Sequence, residues 1–152
     1  MPQVQELQSI VYVSAAVRPM TSADLEALLI EARDLNAANH VSGVLLYGDG
    51  AFMQCFEGAP EAVRGTYERI RASRKHSGIV ELLNETIRVR RFPAWQMGFA
   101  QAGAPELLAM STANWECQVL LDKFRVSESS GMSLLLDFWS RQTHSVRPCA
   151  GA

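Results

Sequence analysis

Val41-Ser42-Gly43-Val44-Leu45-Leu46-Tyr47 and Ala51-Phe52-Met53-Gln54-Cys55-Phe56-Glu57 are two apolar runs separated only by Gly48-Asp49-Gly50. The three separating residues tolerate the positive φ of a tight hairpin, so the runs pair as antiparallel strands. Upstream, Leu7 to Ser14 places Ile10, Tyr12 and Ser14 on one face and Val11 and Val13 on the other, which is strand period, until Pro19 stops it. Thr21-Ser22-Ala23-Asp24 then has the form of a helix start. Leu25, Leu28, Leu29, Ala32, Leu35 and Asn36 follow at helical spacing, which puts Asn36 on the apolar stripe. Downstream, Gly58-Ala59-Pro60 precedes an amphipathic helix over Glu61 to Ser73, closed by Lys75-His76-Ser77-Gly78. Ile79 to Val89 and Trp95 to Gln101 read as strands split by Arg90-Arg91-Phe92-Pro93. The order βαββαββ predicts an α+β chain with a ferredoxin-like sheet and both helices on one face.

After Gly103-Ala104-Pro105 the spacing predicts two more helices, Thr112 to Phe124 and Met132 to Trp139. Their Trp115, Val119, Leu120, Leu134, Leu135, Phe138 and Trp139 supply a cover for the sheet's other face or an interface. The expected organisation is a sheet domain over 1–102, a helical cap over 103–142 and a frayed tail over 143–152.

A chain of 152 residues is one domain's worth, able to bury about 70% of its unfolded surface without disulfides or metal. Hydrophobic residues are 48%, and 14 basic against 16 acidic side chains leave a net charge of −2, which disfavours a disordered tail and a general nucleic-acid binder. No apolar run approaches the roughly 20 residues of a membrane span, and the N-terminus lacks a signal peptide's basic start, so a cytoplasmic protein is expected. Cys55, Cys117 and Cys149 are too scattered for a disulfide framework or zinc site, and His40, His76 and His144 lack metal-ligand spacing. Neither a phosphate-binding loop nor a nucleophile elbow occurs. Glu57, Glu31, Asp34, Glu81 and Glu85 read as solvated or capping charges.

The unusual feature is polarity on faces that the period buries. Gln54 lies between Phe52 and Phe56 on one side of its strand, and a buried amide must satisfy both its ends. The hydroxyl of Tyr12 can serve one of them, and Asn36 offers a second amide from the helix. Trp95, Met97 and Phe99 are expected along one side of the last strand. Such groups in an aromatic and thioether-lined space suit a flat heteroaromatic ligand with carbonyl and ring-nitrogen edges.

The words Ile10-Val11-Tyr12-Val13-Ser14, Asn36 through Tyr47, Phe52-Met53-Gln54-Cys55-Phe56-Glu57-Gly58, Arg74-Lys75-His76 and Arg91-Phe92-Pro93-Ala94-Trp95-Gln96-Met97-Gly98-Phe99 together resemble the BLUF domain, the sensor of blue light using FAD. The resemblance implies a flavin ring between the two helices, with FAD, or FMN or riboflavin on heterologous expression, as cofactor. It assigns Tyr12 as electron donor to the excited flavin and Gln54 as the amide bridging that tyrosine and the ring. Asn36 matches the residue holding the pyrimidine edge, and Ser14 a pocket position. Trp95 and Met97 match a pair that exchanges places on switching. Lys75 and His76 match contacts to ring edge and phosphate, with Arg33 a further cofactor-binding candidate. Leu35, His40 and Ser73 depart from the family's usual polar residue, glycine and aspartate.

The implied chemistry is light-driven transfer of an electron and proton from Tyr12 through Gln54, after which rearranged hydrogen bonds shift the absorption to the red. About fifty residues follow the matched stretch, enough for two helices, so a stand-alone sensor rather than an enzyme is expected, with output through a homo-oligomer interface or a separate signalling protein; composition and charge point to no membrane or nucleic-acid partner. Two other functions compete on residues alone. One is a small acylphosphatase-type hydrolase using Arg18; the other is a ligand-free dimerisation module in which Gln54 and Asn36 satisfy each other.

Overall fold

The computed structural model describes residues 6–116, 118–119, 126–127 and 129–142. Strands β1 (Leu7–Ala16), β2 (Ser42–Gly48), β3 (Ala51–Gly58), β4 (His76–Ile87) and β5 (Gly98–Gln101) form one sheet in the order β4-β1-β3-β2-β5. All neighbours are antiparallel except β5, which runs parallel to β2. The β2–β3 turn has positive φ at Asp49 (47°) and Gly50 (75°), the geometry whose twist matches a hairpin. In the resulting register Tyr12 lies directly opposite Gln54, and both Ser9 and Ser42 lie opposite Glu57.

Helix α1 (Ser22–Asn39) begins with a capping box. Thr21 Oγ1 accepts from Asp24 N–H at 3.1 Å, and the Asp24 carboxylate accepts from Thr21 N–H at 3.0 Å. The helix ends at His40, whose φ of 55° and ψ of 40° make it a left-handed cap. A histidine thus takes the conformation glycine adopts freely, at a cost of about 1 kcal/mol. In return Val41 N–H closes on Asn36 C=O at 2.9 Å and turns the chain into β2. Helix α2 (Pro60–Ala72) starts on Pro60, where the missing N–H has no intrahelical partner to lose.

Both helices pack on one face. Ile10, Tyr12 and Phe56 meet Val63 and Tyr67 of α2, while Leu45, Tyr47 and Phe52 meet Leu25 and Leu29 of α1. The alternate strand residues Val11, Val44, Leu46, Met53, Cys55 and Leu83 face the other way. They are covered by α3 (Ala104–Ser111), Trp115 and α4 (Ser130–Gln142) through Leu107, Met110, Met132, Leu135, Phe138 and Trp139. The predicted cover is therefore present, but one of its helices is displaced. Pro105 opens α3 instead of marking a break, and the helix is over by Thr112. Where the spacing predicts a helix from Thr112 to Phe124, residues Gln118–Val119 (β6) instead pair with Val126–Ser127 (β7). Leu134 is 41% exposed. The expected buried Leu120 and the tail 143–152 lie outside the described residues, and no helix among the described residues is long and apolar enough to cross a membrane.

A second difference concerns the last strand. It begins at Gly98, not Trp95, because Pro93 forces a turn in which Trp95 N–H bonds Phe92 C=O at 3.2 Å. Gly98 is needed where it stands: a Cβ there would come within 2.6 Å of the Trp139 ring.

Candidate functional site

Between α1 and α2, over the sheet, lies a cleft of about 400 Å³. Leu28, Ala32, Leu35 and Asn36 line it from α1, Thr66, Arg69 and Ile70 from α2, and Tyr12, Leu45, Phe52 and Gln54 from the sheet. Both helices contribute residues at i, i+3, i+4 and beyond, so each presents one continuous stripe.

The floor is a connected hydrogen-bond system. Tyr12 Oη donates to Gln54 Oε1, and both residues are buried. Among the described residues Gln54 Nε2 finds only the Met97 sulfur, at 3.6 Å, a weak acceptor. Asn36 Nδ2 donates to the Gln96 carbonyl at 2.5 Å, and Arg33 Nε donates to the Met97 carbonyl at 3.0 Å. His76 Nε2 lies 2.9 Å from the Ile70 carbonyl, which can only accept, so that nitrogen carries a proton. The other ring nitrogen, Nδ1, hydrogen-bonds Ser14 Oγ at 2.7 Å. Lys75 and Glu31, both largely exposed, form an ion pair at 3.5 Å.

Burial, with a smaller contribution from Tyr67, pushes the Tyr12 phenol far above its ordinary range, and burial does the same to the Cys55 thiol behind it, reinforced by Glu57. Tyr12 is therefore a neutral proton donor at any physiological pH. Acids with raised folded values leave stability intact below their unfolded values, about 8.5 for a thiol and 10 for a phenol, and stability is lost as pH climbs beyond them. The melting temperature is expected to fall steeply between about pH 9.5 and 11, and less steeply in Tyr12→Phe. Equal slopes in the two proteins would contradict this assignment.

Of the residues singled out from sequence, Tyr12, Asn36, Gln54, Lys75, His76 and Met97 line the cleft. Ser14 and Arg33 do not; they act on its wall through His76 and the Met97 backbone. Trp95 does not share a side with Met97. Both precede β5 in an irregular segment where strand alternation does not apply, and Trp95 packs on the opposite face of the sheet, edge-on to Trp139 with ring centroids 5.0 Å apart. Gln54 and Asn36 do not bond each other, which removes the arrangement required of a ligand-free core. Glu57, expected to be solvated, is fully buried. Thr66, Arg69 and Ile70 were not foreseen; continuing the stripe of α2 from Val63 by one turn would have found them.

An open, apolar-walled cleft with an underused amide donor at Gln54 and a convergent hydroxyl at Tyr12 suits a flat polar-edged ligand, and the residues fit a flavin ring. The chain belongs to the BLUF family: the family's sequence profile, sensors of blue-light using FAD, matches residues 7–98. The beta subunit of photoactivated adenylate cyclase from Euglena longa is 36% identical over 88 residues, which is 58% of this chain and 10% of that protein. Its Euglena gracilis counterpart is 34% identical over the same length, so the chain spans about a tenth of these curated relatives. Among solved structures, the ground state of BlsA covers 95% of this chain and 92% of its own at 25% identity, with a TM-score of 0.65. BlrB, a BLUF protein in its dark state, is 30% identical with a TM-score of 0.61, over 72% of this chain and 81% of its own.

Proposed function

We propose that this chain senses blue light through FAD held between α1 and α2, with Tyr12 and Gln54 as its photochemical pair. The observation that carries the reading is the buried Tyr12-to-Gln54 hydrogen bond, whose amide has its other end in the cleft beside Met97. Asn36 and Gln54 hold the polar ring edge, Met97 and the apolar stripes flank it, and Lys75 and His76 serve the ring edge and phosphate. The Ile70 carbonyl fixes the His76 tautomer, Ser14 bonds the other ring nitrogen, and Arg33 holds the Met97 backbone.

Bound flavin supplies absorption of blue light and an excited state that accepts an electron. Tyr12 is placed to give that electron, and its hydroxyl proton already points at Gln54 Oε1, so the two losses are coupled. Return of the electron and the proton to Tyr12 leaves the amide turned over, with Nε2 where Oε1 had been, which rearranges its hydrogen bonds and shifts the absorption to the red without lasting redox change. Output then passes through the α3 and α4 side to a second copy of the chain or a separate signalling protein.

Denaturing the purified protein and chromatographing the supernatant is expected to release FAD, or FMN or riboflavin where the expression host loads them. Absence of any flavin would remove the functional reading. Asn36→Ala should weaken flavin retention by about 5- to 150-fold, the consequence of leaving a polar ring atom unpaired; equal retention would remove Asn36 from the site.

A further inference from the structure

Glu57 is a buried ionisable group that this photochemistry leaves unused. It stands three residues after Gln54 on β3 and faces the opposite side of the sheet, fully buried, which an acidic side chain rarely is without a specific partner. Its Oε1 accepts from the backbone N–H of Phe92 at 2.6 Å, and its Oε2 is buried with no hydrogen-bond partner among the described residues. The adjoining Arg90 grips the same place from the other direction. Its guanidinium donates to the Ser42 hydroxyl at 2.8 Å, to the Glu57 carbonyl at 3.1 Å and to the His40 carbonyl at 2.7 Å.

From Phe92 the chain runs directly to the cleft. Trp95 N–H bonds the Phe92 carbonyl, Gly43 N–H bonds the Trp95 carbonyl at 2.8 Å, and the Gln96 and Met97 carbonyls are taken by Asn36 and Arg33. Met97 then places its sulfur at the Gln54 amide. One end of segment 92–97 is thus latched to β3 by a carboxyl, and the other touches the amide proposed to switch.

We propose that Glu57 is a positioning residue of the light response: by holding Phe92 it sets where Met97 stands beside Gln54, and so the rate at which the switched amide returns in the dark. The inference rests on the function proposed above. An irregular segment relieved of its latch lowers the barrier for Gln54 and Met97 to re-sort, so loss of the latch speeds the return.

The test uses the full flavin-loaded chain, with bound flavin, melting temperature and dark recovery after blue light measured for each variant. Glu57→Ala is expected to retain flavin and the red shift while recovering about tenfold faster, the scale of one unsatisfied buried N–H. Glu57→Gln keeps an oxygen for the Phe92 N–H and should recover within about twofold of the parent. Leu83→Ala, a cavity in the core on the same face, should lower the melting temperature and leave recovery unchanged, separating lost stability from lost positioning. If Glu57→Ala does not fold, Glu57→Met fills much the same volume without an oxygen for the Phe92 N–H and should show the same acceleration. Parental recovery in the flavin-loaded latch variant, or Glu57→Gln as fast as Glu57→Ala, overturns the role. A parent chain without flavin overturns the function itself instead.

Discussion

Gln54→Leu is expected to give a protein that binds flavin and no longer shifts its absorption under blue light. Leucine fills much the same volume between Phe52 and Phe56 but has neither the oxygen that accepts from Tyr12 nor the nitrogen that faces Met97. The tyrosine proton then has no acceptor on the floor of the cleft. The cleft walls and Asn36 are untouched, so loading survives. Tyr12→Phe should give the same spectral outcome from the other side, because it removes the donor hydroxyl while keeping the ring that packs on Phe56 and Tyr67. Light-minus-dark difference spectra of the two variants check both statements, and a reversible red shift of parental size in either would remove that residue from the photochemical pair.

Truncation after Ala102 is expected to yield aggregated or unfolded protein, read by size-exclusion chromatography and thermal melting. The cut removes Leu107, Met110, Trp115, Met132, Leu135, Phe138 and Trp139, all buried against one face of the sheet. At about 1.5–3 kcal/mol for each large apolar side chain fully buried, their loss matches or exceeds the whole stability of a domain, about 5–15 kcal/mol. It also bares Val11, Val44, Leu46 and Met53, an apolar strip of the kind that associates. The cleft lining falls entirely within Tyr12 to Met97, so any fraction that does fold keeps its ligand contacts. A truncated chain that is monomeric and melts where the parent does would show that the C-terminal segment is not the cover.

The parts of this molecule legible from sequence are those governed by a repeating local rule. Strand alternation placed Tyr12 and Gln54 on one face, and the hairpin residues brought β2 and β3 together; antiparallel pairing of β1 with β3 then set the two side chains opposite each other. The rule failed where periodicity ends. Trp95 and Met97 lie two apart and would share a face in a strand, but the turn at Pro93 sends one indole to the far side and the thioether into the cleft. Glu57 was misread for a different reason: its partner is a backbone N–H 35 residues away, and main-chain donors leave no mark in a side-chain pattern. The displacement of the helix after Gly103 is a matter of emphasis between two proline readings, a stop or a first turn, which only the packing of Leu107 and Met110 decides.

The three tryptophans of the chain all lie in the core between the sheet and the C-terminal helices. Trp95, on the segment that leads to the cleft, and Trp139, on α4, meet with their planes at 89°. Indoles this close couple their electronic transitions, so the docking of α4 carries its own optical signature in the near ultraviolet, away from the visible band. With the flavin proposed for the cleft bound, the molecule would carry two chromophore systems on opposite sides of one sheet, and the connection between them could be timed without attaching a label.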